Sequence, residues 1–232
     1  MTTGPGRFLL LGSGEFEPWA GDAERFALAG AAGDGSVAVL ATASAREGDA
    51  VFERWTGMGL AHYKSIDIAA QALRVRTRSD ALDTSMAKVL DGVSMVFFSG
   101  GSPKYLAETL RRTPVCDAVL RLIDRGGVFA GCSAGAMIAG TRGMPFPFGS
   151  GLGLLPGTSV GVHWDALSAW WIRWLRDLAP RRLPSNGRFI GIAENTAVAS
   201  DGDAWRVFGA GEVDVRQGRQ RQAFLAGQRF AR

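Results

Sequence analysis

What most restricts the fold of this chain is a recurring alternation. Five apolar runs, "RFLLLGS" (7–13), "SVAVLATAS" (36–44), "SIDIAA" (65–70), "VSMVFFSG" (93–100) and "GVFAGCS" (127–133), are separated by stretches such as "DAERFALAGAA" and "SPKYLAETLRRTPVCDAVLRLIDRG". Those stretches carry apolar residues at three- and four-residue spacing, the period of amphipathic helices, whereas the short runs read as strands. The pattern predicts an α/β fold of three layers, α/β/α, with a mostly parallel sheet covered by helices on both faces. In such folds reactive groups gather beyond the carboxyl ends of the strands. Farther on, "TRGMPFPFGSGLGLLPG" is too rich in Gly and Pro for a long helix and is expected to be a loop over the site. "TSVGVHW" reads as a strand, "DALSAWWIRWLRDLA" as a helix, and "RFIGIAENTAVAS" and "AWRVFGAGEVDVRQG" as closing strands. Neither a repeat nor a linker divides the sequence, so residues 1–232 are expected to form one domain.

A composition of 47% hydrophobic and 21% charged residues is ordinary for a soluble globular protein with a sizeable core. The net charge of +4 is spread through the chain, as at Arg111-Arg112 and Arg181-Arg182, without the aromatic-interleaved basic element of a nucleic-acid binder. Nucleic acid is therefore not an expected partner. No stretch approaches the roughly 18 unbroken apolar residues of a membrane span, and the first apolar run is too short for a signal sequence, so no membrane partner and a cytoplasmic location are expected. Cys116 and Cys132 have no metal-ligand spacing and form no disulfide framework, so no metal or other cofactor is expected.

The segment "GVFAGCSAGAMIAG" (127–140) joins an apolar strand to a helix of small residues through a Gly-x-Ser-x-Gly turn. A hydroxyl acts as a nucleophile only when it is held clear of the sheet beside a base, with backbone N–H groups facing the developing oxyanion. The turn supplies that setting, with Ser133 exposed at its tip and the Ala134 N–H beside it. Of the two histidines, His62 lies near a helix end and reads as a solvated surface residue. His163 falls at the end of a strand and is the candidate base. Residues 134–162 contain no Asp or Glu, which disfavours the α/β-hydrolase order of serine, acid and histidine. The candidate acid is Glu194 in "GIAENTAV", with Asn195 and Thr196 placed to hold its carboxylate by local hydrogen bonds. "FFSGGSPKYLAETL" offers Gly100 and Gly101 for a second oxyanion donor, followed by Ser102 as N-cap and Pro103 at the first helical position.

Four segments in order, "SGGSPKYL", "GCSAGA", "GLGLLPG...VHW" and "GIAENTA", together resemble the dipeptidase E and cyanophycinase family of serine peptidases, whose fold is related to class I glutamine amidotransferases. The resemblance implies Ser133 as nucleophile, His163 as general base and then acid, Glu194 as the residue orienting His163, and Gly101 and Ala134 N–H groups as oxyanion donors. It also implies a small peptide substrate, an aspartyl dipeptide or isopeptide among the candidates; Gly100, Ser102, Arg142 and Trp164 are, from their positions in the sequence, the candidate substrate-binding residues. Arg173 is a second candidate for holding a substrate carboxylate.

The departures from the family matter as well. Cyanophycinases carry an acidic-amide pair before the histidine and arginines shortly after it. Here Gly161 and Val162 precede His163, and Arg173 and Arg176 stand at a different spacing, which argues against cyanophycin as substrate. Leu167, Trp170, Trp171, Trp174, Leu175 and Leu178 form one helical stripe, read as a core face or a homodimer interface. Two other readings stand beside the peptidase: a catalytically silent binding or assembly protein on the same scaffold, and glutamine amidotransferase-like chemistry. The latter requires a thiolate at the centre of the turn, where this chain has Ser133, with Cys132 one residue earlier and read as a buried small side chain.

Overall fold

The computed structural model describes residues 6–144, 151–166, 187–218 and 220–232. The larger of its two sheets has eight strands in the order β13-β10-β9-β1-β5-β4-β2-β3. These are β1 (Arg7–Leu11), β2 (Val37–Leu40), β3 (Ala70–Ala72), β4 (Met95–Phe98), β5 (Val128–Cys132), β9 (Thr196–Ser200), β10 (Ala204–Gly209) and β13 (Arg229–Ala231). From β1 to β3 the neighbours are parallel, and β9, β10 and β13 extend the sheet antiparallel on the other side. The expected α/β/α layering is present. Phe8 and Leu10 of β1 enter the apolar cluster shared with α5 (Pro103–Leu110), α6 (Pro114–Asp124) and α7 (Ala134–Ala139). Leu9 and Leu11 point the other way, into the cluster formed with α1 (Ala20–Leu28) and Tyr63 of α2 (Asp49–Ser65). Period-two alternation thus gives β1 two buried faces.

Helix starts follow local chemistry. Ser102 accepts a hydrogen bond from the Tyr105 N–H at 3.3 Å, with Pro103 at the first position of α5, and Thr113 and Pro114 repeat the arrangement at α6. The short α3 (Arg78–Leu82) begins with a capping box between Thr77 and Asp80, and α4 (Thr84–Lys88) is capped by Asp83.

The chain departs from the sequence reading in three places. Of the third run (65–70) only Ala70 enters a strand, β3 (Ala70–Ala72), because α2 extends to Ser65 and the Ile68 N–H returns to the Tyr63 carbonyl. The expected loop after residue 141 begins as a strand, β6 (Gly140–Met144), parallel to β7 (Leu155–Gly161). Its residues 151–153 are hydrogen-bonded to Ile138, Gly140 and Thr141 at the end of α7. Finally, "RFIGIAENTAVAS" and "AWRVFGAGEVDVRQG" each contain two strands that belong to different sheets. β8 (Arg188–Ile192) and β11 (Val213–Gln217) join β6, β7 and β12 (Gln220–Phe224) in a five-stranded sheet ordered β12-β11-β8-β7-β6. This sheet packs on the α5–α7 side of the larger one through Val160, Ile190, Ile192 and Val213.

The two sheets meet beyond the carboxyl ends of β1 and β8. A side chain at Gly12, just past β1, would stand 2.0 Å from the Ala193 carbonyl oxygen just past β8, so only glycine lets these backbones touch. Among the described residues no helix is long and apolar enough to cross a membrane.

Candidate active site

The turn after β5 owes its shape to its glycines. A Cβ at Gly131 would lie 2.4 Å from the Gly135 carbonyl carbon, and one at Gly135 would lie 2.1 Å from the Phe98 carbonyl oxygen. Close approach of strand end, helix start and β4 therefore demands both glycines. Between them Ser133 is forced to φ 49°, ψ −110°, a costly conformation for a residue with a side chain. Its N–H bonds to the Leu11 carbonyl at 3.0 Å, and its own carbonyl accepts from Met137 N–H at 3.0 Å. Its Oγ stands off the sheet end, 3.0 Å from His163 Nε2.

His163 also has positive φ, 51°, two residues beyond β7. Its Nδ1 lies 3.1 Å from Glu194 Oε1. Both side chains are partly open to solvent, 40% and 46% exposed. Glu194 sits in the turn from β8 to β9, where its N–H is held by Asp165 Oδ1 at 2.8 Å and the next N–H, of Asn195, by Ser13 Oγ at 3.0 Å. The expected roles of Asn195 and Thr196 change accordingly. Thr196 Oγ1 donates to the Glu194 backbone carbonyl at 2.9 Å and accepts from Gly211 N–H, so it holds the turn and not the carboxylate. Asn195, at φ 50°, supplies the turn's left-handed residue.

The remaining candidates separate. Gly100 lies against Ser133, where an added Cβ would be 3.5 Å from Ser133 Cβ, but its N–H is occupied by Glu15 Oε1 at 2.9 Å. Gly101 follows at φ 135°, exposed, in a place closed to any side chain by the Ala43 carbonyl. Ala134 opens α7, so its N–H belongs to the first turn, which has no intrahelical acceptors. Ser102 is exposed and caps α5.

Trp164 is not a pocket wall. It is 1% exposed, its Nε1 donates to Asp214 Oδ2 at 3.1 Å, and its indole packs on Phe189 with ring centres 4.6 Å apart. The cross-strand pair Gly161 and Gly191 vacates the room it fills, since a Cβ on either would collide with the Trp164 and Phe189 rings. Arg142 pairs by its backbone with Ser159, while its side chain lies outside what the structure describes. Arg173, Arg176 and the stripe from Leu167 to Leu178 likewise lie outside the described residues.

His62 is buried, with Nε2 2.6 Å from Glu24 Oε2, while Tyr63 OH donates to Glu24 Oε1 at 3.1 Å. Its partner comes from another helix, which is why it is not the surface histidine expected. Cys132 is fully buried and its thiol donates to Glu15 Oε2 at 2.9 Å. Burial first, and then the Glu15 carboxylate, push that thiol well above its ordinary pKa. A thiolate nucleophile at Cys132 is thereby disfavoured, and with it amidotransferase-like chemistry.

Sequence reasoning missed Glu15, Asp165 and Asp214. Glu15 had a signal, a carboxylate in "GSGEF" directly after the first strand and thus at the same sheet edge. A cavity of about 630 Å³ opens beside Asn195, lined also by Trp19 and Phe208, but none of Ser133, His163 and Glu194 lines it. Among the described residues no group of three or more His, Cys, Asp or Glu is arranged to hold a metal ion.

The sequence model of peptidase family S51 matches residues 8–151, a span that runs from β1 through the Ser133 turn. The chain belongs to peptidase family S51. Two curated relatives of this S51 chain, the cyanophycinases of Trichormus variabilis and of a Nostoc species, are each 32% identical over 160 residues, covering 62% of this chain and 52% of their own. The chain thus spans about half the length of those relatives. A solved structure described as a peptidase from an acI-B1 Actinobacterium superimposes with a TM-score of 0.87 at 28% identity, covering 99% of this chain and 98% of that one. A second structure, from Listeria monocytogenes EGD-e, shares the fold with a TM-score of 0.59 at 16% identity, covering 91% and 98%.

Proposed function

We propose that this S51 chain is a serine peptidase that hydrolyses a small peptide, a dipeptide or isopeptide, through an acyl-enzyme. The observation that carries the reading is the unbroken relay from Ser133 Oγ to His163 Nε2 at 3.0 Å and from His163 Nδ1 to Glu194 Oε1 at 3.1 Å. With Glu194 ionised, Nδ1 carries the proton and Nε2 is left as the acceptor facing Ser133. His163 then takes the Ser133 proton as Oγ attacks the scissile carbonyl, and gives it to the leaving amine. Water repeats the sequence to release the acyl group. Gly101 and Ala134 N–H groups, one from each side of Ser133, receive the oxyanion. Glu194 keeps the tautomer and stabilises the imidazolium as it forms.

The bond cleaved is a finer matter. The name of the curated relatives, cyanophycinase, directs attention to peptides related to cyanophycin. Against the charged polymer itself stands the absence of an acidic-amide pair before His163, where Gly161 backs onto the buried Trp164 and Phe189 rings.

The test is a pooled dipeptide library with α-aspartyl, β-aspartyl and neutral first residues, followed by mass spectrometry for wild type and Ser133→Ala. Loss of one subset with wild type alone is expected, with Ser133→Ala slower by about a millionfold, as when members of a triad act as a unit. No loss from any subset, with both proteins folded, would replace the peptidase by the silent binding homologue.

A further inference from the structure

A buried carboxylate that the relay does not use stands directly behind it. Glu15 is 7% exposed, in the loop after β1, between Gly14 at φ 72° and Phe16 at φ 67°. Phe16 anchors that loop by packing its ring on Phe97 at 5.0 Å and on His62 and Tyr63 at 5.9 and 6.3 Å. The two Glu15 oxygens are divided between the two halves of the site. Oε1 accepts the Gly100 N–H and Oε2 accepts the Cys132 thiol proton, each at 2.9 Å. One partner belongs to the glycine loop after β4, and the other immediately precedes Ser133.

We propose that Glu15 is a positioning residue for the oxyanion hole, pinning the Gly100 amide to the residue before the nucleophile and so fixing where the Gly101 N–H stands relative to Ser133. The inference rests on the serine-nucleophile reading. Gly101 is restrained from both sides, since Gly100 N–H is held by Glu15 and Ser102 N–H by the Ala43 carbonyl at 2.9 Å. No hydrogen bond engages the Gly101 N–H among the described residues, which leaves it for a ligand. The fit at Gly100 is close, because an added Cβ would be 3.1 Å from Glu15 Oε1. A side chain with two polar atoms in reach of both elements ties the loop to the turn, and its essential contact is the oxygen that accepts the Gly100 N–H. Such a clamp acts on the transition state, in which the oxyanion bonds form, and leaves ground-state binding nearly unchanged.

A small alkyl fluorophosphonate tests this without knowledge of the natural substrate. Ser133 Oγ forms the O–P bond as the P–F bond breaks, fluoride leaves, the proton passes to His163, and the phosphonyl oxygen occupies the oxyanion position. Saturation kinetics separate the binding constant KI from the labelling rate kinact. Removing one oxyanion donor costs about 100- to 1,000-fold. Glu15→Ala should therefore lose about 100-fold in kinact with KI within about threefold of wild type. Glu15→Gln keeps an acceptor for Gly100 N–H and should stay within about tenfold of wild type. If Glu15→Ala does not fold, Glu15→Asp, one methylene too short to hold both partners, should show the same loss. A folded Glu15→Ala or Glu15→Asp protein labelled at the wild-type rate, a loss confined to KI, or equal losses in the Ala and Gln variants would overturn the proposal. Wild type that is not labelled at Ser133 would overturn the nucleophile reading as well, whereas labelling at Ser133 with Glu15 dispensable would overturn this inference alone.

Discussion

Replacing Glu194 by Gln keeps the shape of the side chain and removes the charge that the relay places beside His163. At the 3.1 Å separation of Nδ1 and Oε1, a pair of unit charges is worth about 1.3 kcal/mol at the dielectric constant of water and about 5 kcal/mol at an effective value near 20. The two side chains are 40% and 46% exposed, which places the interaction in the lower half of that interval, near about 2.7 kcal/mol or a hundredfold in rate. A second effect acts in the same direction, because an amide that turns its NH₂ toward Nδ1 favours the tautomer that blocks Nε2 as a base. Glu194→Gln should thus lower kcat about 100- to 1,000-fold with a much smaller change in KM. That is less than the roughly 10,000-fold loss typical of a buried triad carboxylate. The assay is steady-state hydrolysis of the dipeptide that the library identifies, alongside thermal unfolding, where an exposed site should shift the midpoint little. A folded Glu194→Gln enzyme within threefold of wild type would refute the orienting role and the argument from charge with it.

Two further perturbations test the scaffold. Gly135→Ala drives a methyl group to within 2.1 Å of the Phe98 carbonyl oxygen in the interior of the larger sheet, where neither backbone can retreat, so a loss of about 3 kcal/mol is expected from the urea midpoint; an unchanged midpoint would mean that the turn has slack. Asp214 is fully buried and bonded by Trp164, Arg216 and Arg221. Burial acts to raise its pKa, but the Arg216 and Trp164 hydrogen bonds and the two guanidinium charges outweigh it and hold the carboxyl below its ordinary 3.8. A depressed folded-state pKa contributes stability above the unfolded value and loses it as pH falls through the folded one. Asp214→Asn should therefore cost about 3 kcal/mol at neutral pH and flatten the fall in stability below about pH 4, as followed by denaturation at a series of pH values. Parallel wild-type and variant curves would assign the acid sensitivity elsewhere.

How far this site can be read from sequence depends on the range of the interactions that build it. The Ser133 turn is largely local, and its Gly-x-Ser-x-Gly spacing already contains the approach of strand end to helix start that makes Gly131 necessary, although Gly135 is required by Phe98 of β4. Four of the five apolar runs locate parallel strands for the same reason, whereas the third begins at the last residue and cap of α2 and reaches β3 only at Ala70. Trp164 is different. Its nearness to His163 in sequence suggests a shared pocket, but successive residues at a strand end face opposite ways, and the cavity that receives its indole is made by Gly161 and Gly191 on neighbouring strands. The same holds for His62, whose partner Glu24 lies 38 residues away, and for the assignment of β8 and β9 to different sheets. No proline or glycine breaks the intervening "AEN". Asn195, tolerant of the left-handed region, is the only mark of that turn.

The backbone geometry at this edge ties these observations together. Ser133 at φ 49°, His163 at φ 51° and Asn195 at φ 50°, the last adjoining Glu194, are all non-glycine residues in the left-handed region. Each such conformation costs about 1–3 kcal/mol and persists only where its surroundings over-determine it. The restraints here are specific: Ser133 N–H on the Leu11 carbonyl, Trp164 N–H on the Ile192 carbonyl just after His163, and Asn195 N–H on Ser13 Oγ. Two of the three acceptors come from β1 and the loop that follows it, and the same loop supplies Glu15 to the glycine loop and to Cys132. The segment from Leu11 to Glu15, which contributes no member of the relay, therefore holds the Ser133 turn, the Glu194 turn and the glycine loop after β4 in one frame. A disturbance within it should misplace several reacting groups at once, whereas a disturbance at Asp165 reaches only the Glu194 turn.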